Sequence, residues 1–97
     1  MTDPATYRAQ LETIFLVEQD AVAIPLRLVD VADERVSGGM RQFSLLFHGP
    51  ADRLLPQGTY TLRHEALGDL DLFIVPIAGS NRERIVYQAC FNVPVVS

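Results

Sequence analysis

The sequence contains no lysine and no tryptophan, only one cysteine, and no long run of apolar or basic residues. Its 8 basic residues are all arginine, which excludes lysine nucleophiles and Schiff bases. Because Cys90 stands alone, no disulfide forms within the chain. The arginines are scattered and the net charge is −4, which argues against broad binding to nucleic-acid phosphates.

Signals for secretion and membrane insertion are also missing. The first residues, MTDPATYRAQLETIF, carry an acid early and lack the apolar centre of a secretory signal. The apolar runs, such as LFIVPIA, are too short to cross a membrane. We therefore expect a soluble cytoplasmic protein without nucleic-acid or membrane partners. Its 97 residues, of which 48% are hydrophobic, predict a single domain over residues 1–97.

Helical spacing is confined to the start of the chain. Asp3 has a residue type that caps helices, and Pro4 has the type that occupies a first helical position. Apolar residues then follow at intervals of three or four, namely Tyr7, Leu11 and Ile14 or Phe15. This spacing predicts a short helix over about residues 4–13.

From about residue 14 onward, apolar residues recur at every second position, which is typical of strands. In the first long run the alternation changes phase after Leu28, so a bulge or bend is expected there. Pro25 in the same run suggests an edge or irregular position, because proline cannot donate to a strand ladder. The polar stretch 33–40 around Gly38-Gly39 is expected to form a loop or hairpin tip.

Together these patterns predict a mainly β fold. Turn-forming residues arrive about every ten positions and no second helix is expected, a pattern of small antiparallel barrels and sandwiches. We expect an antiparallel β-barrel, or a curled sandwich, of about six strands with one short N-terminal helix. The β body covers about residues 14–92, and residues 93–97 form a short C-terminal tail.

Three stretches, FSLLFHGP, LPQGTYTLRHEALGDLDLFIVPIAG and YQACFN, resemble the pattern of a family of short bacterial proteins of unknown function. The resemblance extends from about Leu11 to Asn92. It implies a small β fold and supplies no catalytic residues. Members of the family often accompany proteins that resemble phage tail-collar or tail-fibre components, so the resemblance also implies a role in assembly.

Residues capable of catalysis or metal binding are few. His48, His64, Cys90 and carboxylates such as Glu65 are present, but the stretch HEALG lacks the second histidine of a zinc-binding HExxH. Ser44 and Cys90 lie within expected strands, where they are more typical of sheet positions than of nucleophiles. We predict no metal site, no cofactor and no catalytic site. An enzyme that uses Cys90 with His48 or His64 is the least supported alternative.

Apolar residues, by contrast, exceed what one small core needs. The surplus has two open explanations: a second layer beneath the loops or helix, or an exposed patch used in association. An unpaired sheet edge would offer the same opportunity for binding. The leading hypothesis is a non-enzymatic protein-interaction module that docks on itself or on another protein. The residues predicted to carry this interaction are Leu46, Leu54, Leu55, Leu67 and Phe73, rimmed by Arg63 and Asp69.

A second hypothesis comes from a different functional class. The barrel mouth could bind a small ligand that is oriented by Tyr60, His48 and His64. This hypothesis requires an interior that is not filled by the protein's own side chains.

Overall fold

The structure, a computed structural model, describes residues 4–94, which form one short helix and six strands. The elements are α1 (Pro4–Arg8), β1 (Ile14–Gln19), β2 (Val22–Ser37), β3 (Met40–Pro50), β4 (Gly58–His64), β5 (Gly68–Ile77) and β6 (Arg84–Pro94). All pairings are antiparallel, and the strands close a barrel in the order β1-β2-β3-β6-β5-β4. The predicted small antiparallel barrel is therefore confirmed.

The two-residue rhythm of the sequence determines which side chains enter the barrel. Phe43, Leu45 and Phe47 of β3 point inward and are fully buried, together with alternate residues of the other strands. The phase change after Leu28 corresponds to a shift of the β2–β3 register between Leu28 and Asp30. Pro25 lies where β2 pairs with β1 and before its pairing with β3 begins at Arg27, so its missing donor breaks no ladder there.

The helix is shorter than the sequence predicted, because it ends at Arg8 and not near residue 13. The chain then turns to join the sheet: the Glu12 amide donates to the Leu28 carbonyl at 2.7 Å, and Glu12 has a φ of 68°. The Thr13 hydroxyl closes this turn by donating to the Gln10 carbonyl. The apolar spacing was misleading because, of the residues that carried it, only Tyr7 lies in α1: Leu11 is exposed in the following turn, and Ile14 and Phe15 belong to β1.

The expected loop over residues 33–40 is also mostly strand. β2 continues to Ser37, and only Gly38 and Gly39 form the turn, each with a positive φ. Two successive residues of positive φ suit the twist of a tight hairpin, and glycine adopts them without strain. The sequence did not predict this extension because the side chains of residues 33–37 are exposed on both faces of the strand, so they show no apolar alternation.

The C-terminal strand likewise extends further than expected, to Pro94. Val93, which was assigned to the tail, lies in β6 and packs partly against the core. The remaining tail residues 95–97 lie outside the described residues.

Strands β2, β3 and β6 extend beyond the closed part of the barrel. We call this extension the arm; it comprises residues 31–37 of β2, 40–45 of β3 and 89–94 of β6. The helix packs at the base of the arm, where Tyr7 is buried against Phe43 and Phe91 with ring centroids 6.2 and 5.5 Å away. Among the described residues, no helix has the length and apolar character needed to cross a membrane.

Candidate functional site

His64, at the end of β4, has a structural role. Its Nδ1 accepts the backbone N–H groups of Ala66 and Leu67 at 3.0 and 3.1 Å, so Nδ1 carries no hydrogen. The hydrogen is then on Nε2, which donates at 2.8 Å to the hydroxyl of Thr13. Both ring nitrogens are therefore engaged in holding the β4–β5 turn and the start of β1 together.

His48 and Cys90 point outward from the barrel, but they do not lie together. In the register of β3 and β6, His48 is opposite Val86 and Cys90 is opposite Ser44. Cys90 lies four positions after Val86 in β6, which corresponds to about 13 Å along a strand. Cys90 contacts the Ser44 hydroxyl at 3.6 Å. The geometry thus gives no support to a catalytic pair of Cys90 with either histidine.

Side chains fill the interior of the barrel. Phe15, Phe47, Leu62 and Tyr87 are completely buried there, with aliphatic residues between them. The Tyr60 hydroxyl donates to the Pro56 carbonyl at 2.6 Å, which occupies the group assigned to ligand orientation. The barrel interior therefore does not supply the empty space that the ligand-binding hypothesis requires. Residues 4–94 also contain no group of three or more His, Cys, Asp or Glu side chains arranged to hold a metal ion.

The seven residues predicted for interaction are divided between different parts of the surface. Leu55 does not belong to the surface, because it is 0% exposed and its amide donates to the Tyr87 hydroxyl at 2.9 Å. Its neighbour Leu54 is 60% exposed. The prediction for Leu55 was wrong because adjacent residues of a loop need not share a side, and the sequence does not show which one turns inward.

Four of the other residues lie on the β4–β5 hairpin. Arg63 is directly opposite Asp69, although its guanidinium makes its ion pair with Glu18 at 3.1 Å. Leu67 is half-buried against the core, whereas Phe73 is 51% exposed. The hairpin therefore combines an exposed aromatic ring with a charged surface, while Leu46 is half-buried on β3.

The pairing of β5 and β6 reveals a feature that the sequence did not identify. Within residues 4–94 the two strands pair only where Val75, Pro76 and Ile77 face Gln88, Tyr87 and Val86. Beyond Gln88, residues 89–94 of β6 pair with β3 on one side and with no other described strand on the opposite side. We call this opposite side the β6 edge. Residues 68–74 of β5 likewise pair only with β4 within the described chain.

The two outer strands of the arm differ in how they are protected. The outer strand β2 carries Asp33, Glu34 and Arg35, has a register irregularity between Ala32 and Arg35, and is tied to α1 by the Arg8–Glu34 ion pair. Charges and bulges of this kind discourage pairing with another chain. The β6 edge has an unbroken register with β3 and the sequence ACFNVP, which contains no charged residue. The uncharged run was visible in the sequence, but its lack of a partner was not.

A second apolar surface was also missed. Ile14 and Leu16 point outward from β1 and are 46% and 41% exposed, and Leu16 is directly opposite the exposed Pro25. The period-two pattern assigned one face of β1 to the core, but both faces carry apolar residues. The sequence alone does not distinguish a covered outer face from an open one.

Comparison with known proteins identifies a family and no characterised relative. The family model described as Domain of unknown function (DUF6916) matches residues 2–91. No curated protein and no solved structure matches the chain significantly.

Proposed function

Since the chain belongs to this domain family of unknown function, its role has to be inferred from its geometry, and we propose that it is a non-enzymatic protein-interaction and assembly module. The observation that carries the proposal is the β6 edge, a regular strand without a described partner on one side. Such an edge presents N–H and C=O groups that pair readily with a strand of another chain.

The occupant we propose for the β6 edge is the same strand of a second copy. Two identical strands that pair antiparallel close on a two-fold axis, so each copy uses the same surface and the assembly is a dimer. Because the two strands are identical, a charged residue on one strand would bring a second copy of its charge with the other strand. Residues 89–94 contain no charged residue. The β5 edge, with Asp69 and Asp71, would instead bring like charges together.

The resemblance to proteins that accompany phage tail-collar and tail-fibre components suggests the larger setting. We propose that the dimer contributes to a phage-tail-like or fibre assembly. Phe73 and Leu54, the exposed hydrophobic residues among those predicted for interaction, are the side chains we propose for contact with other components.

Sedimentation velocity over a range of protein concentrations tests the dimer, with Asn92→Asp as the diagnostic variant. Asn92 is exposed on β6, and the substitution is isosteric, so the fold is kept while two carboxylates enter one short strand pair. The two introduced carboxylates form one like-charge pair across the strands, which costs about 0.2–1 kcal/mol and predicts a dimer that is about 1.4- to 5-fold weaker.

Asn81→Asp is the matched control for this variant. It makes the same chemical change in the loop before β6, where the side-chain oxygen of Asn81 accepts the amides of Glu83 and Arg84, a role that a carboxylate retains. It should leave the dimer unchanged. Hydrogen exchange should also show protection, lost on dilution, of those amides of residues 89–93 that do not bond to β3. A protein that stays monomeric at high concentration, with the β6 edge amides exchanging freely, would rule out self-pairing.

A further inference from the structure

A cleft that contains two arginines and a histidine lies on the outer surface of the barrel, away from the arm. Arg27 of β2 is directly opposite His48 of β3. Arg84 of β6 is opposite Pro50, which places it two residues from Val86, the partner of His48. The three side chains therefore share the outer face of three adjacent strands. They line a cleft of about 390 Å³ together with Ile14, Pro25, Gly49, Pro50 and Glu83.

The hydrogen-bonding capacity of this cleft is not met by the protein. His48 Nδ1 and Arg84 Nε are buried and have no partner among the described residues. Arg84 makes no ion pair with a carboxylate of residues 4–94, and Arg27 makes only a loose one, 3.6 Å from Glu12. A buried polar atom without a partner destabilises the fold, and the destabilisation is larger when the atom belongs to an unneutralised guanidinium. An external group that accepts these hydrogen bonds would remove it.

The charges around His48 point the same way. Burial, then the guanidinium groups of Arg84 and Arg27, hold the pKa of His48 below its ordinary value, while Glu12 opposes them. Two cations thus face one imidazole from the strands on either side of it. Glu83 also lines the cleft. When His48 is neutral, the positive charges of the two arginines equal the negative charges of Glu12 and Glu83. Binding of an anion would therefore depend on short-range contacts more than on long-range attraction.

We propose that this cleft is a binding site for a small oxyanion, held by Arg27, His48 and Arg84. Guanidinium groups offer paired N–H donors that match the oxygens of phosphate, sulfate or carboxylate. Arg84 Nε is buried in this structure, so its contact with the ligand requires rotation of the Arg84 side chain. His48 supplies a further donor, and its protonation is favoured once an anion offsets the arginines, so binding tightens as the pH falls.

NMR of the imidazole resonances during titration with sulfate tests the site, because the charge of sulfate does not change over the pH range used. At equal ionic strength set with chloride, sulfate should perturb His48 and raise its pKa, whereas His64, which does not line the cleft and whose two ring nitrogens are bonded within the protein, should not respond. Acetate in a parallel titration separates the two ligand geometries: tighter binding of sulfate indicates a phosphate- or sulfate-bearing ligand, and tighter binding of acetate a carboxylate.

Two variants with opposite expected effects sharpen this test. Arg84→Gln removes a charged donor and should weaken sulfate binding about ten- to hundred-fold, as loss of a charge-assisted hydrogen bond does. Glu83→Gln removes the competing carboxylate and should tighten it. The matched control is Arg35→Gln, which makes the same charge change on the exposed part of the arm. Identical His48 titrations in sulfate, acetate and chloride, or equal effects of Arg84→Gln and Arg35→Gln, would overturn the proposal.

Discussion

At the scale of single residues, Gly49 shows how close packing constrains the sequence. It lies within β3, and a Cβ atom there would come within 2.7 Å of Leu26 Cδ2 and 2.9 Å of Tyr87 Cε2. Both neighbours are completely buried, so a side chain of the core must shift to admit the Cβ atom. The glycine of the FSLLFHGP stretch is therefore required for contact between the strand and the core, in addition to the turn chemistry the sequence suggested.

We expect Gly49→Ala to lower the free energy of unfolding by about 1–3 kcal/mol, the usual cost of overpacking a filled core. Gly58→Ala is the matched control, since its Cβ would find its nearest neighbour at 3.7 Å and its φ is not positive. Urea denaturation of the two variants measures the difference. Equal stabilities would show that the core around Leu26 and Tyr87 yields more easily than its packing indicates.

At the scale of elements, the β3–β4 loop is held to the barrel by two tyrosines. The Tyr87 hydroxyl, on β6, accepts the buried amide of Leu55 at 2.9 Å, while the Tyr60 hydroxyl donates to the Pro56 carbonyl at the exposed surface. The first contact satisfies a donor that water cannot reach, whereas water can replace the second. The loop therefore depends on a strand that is distant in sequence.

Tyr87→Phe should destabilise the protein by about 1–3 kcal/mol, because it leaves the Leu55 amide buried without an acceptor. Tyr60→Phe removes a hydroxyl of β4 that bonds to the same loop. It should cost less than about 1 kcal/mol, since this hydrogen bond is exposed. Denaturation compares the two, and hydrogen exchange at Leu55 should accelerate only in Tyr87→Phe. Unchanged exchange at Leu55 would contradict this account of the loop.

At the scale of the whole molecule, the barrel closes at a narrow seam. Strands β1 and β4 pair only at Leu16–Arg63 and Val17–Leu62 among the described residues. The nearby ion pair between Arg63 and Glu18 is exposed, and such pairs contribute little to stability. Closure is therefore maintained chiefly by the filled interior, on which every strand of the barrel depends.

The stability of the whole fold should also depend on pH through His48. Its pKa in the folded state lies below the ordinary value of 6.5, so the unfolded chain binds a proton more readily. The contribution of neutral His48 to the free energy of unfolding is fully present above pH 6.5. That contribution is lost as the pH falls below 6.5 and through the pKa of the folded state. His48→Gln should flatten this part of the profile, as measured by denaturation midpoints in chloride. A variant with the same slope as the wild type below pH 6.5 would refute it.

Local rules were sufficient to predict much of the fold. Alternating apolar residues predicted the strands and the barrel, and the phase change after Leu28 predicted the register shift that is found there. The predicted length of the helix and the predicted surface position of Leu55 were wrong, because both depend on packing against residues far away in the chain. The exposed strand at residues 33–37 was missed because its side chains do not alternate between buried and exposed. It is a strand because it pairs with β3.

Composition and spacing thus determined a small, mainly β protein, since side-chain alternation is a property of neighbouring residues. The two candidate sites were decided by strand order. Arg27, His48 and Arg84 meet only because β3 pairs with both β2 and β6, and the β6 edge is open only because β5 leaves β6 after Gln88. Contacts between distant strands depend on how the sheet closes, and no local pattern in this chain specifies that closure.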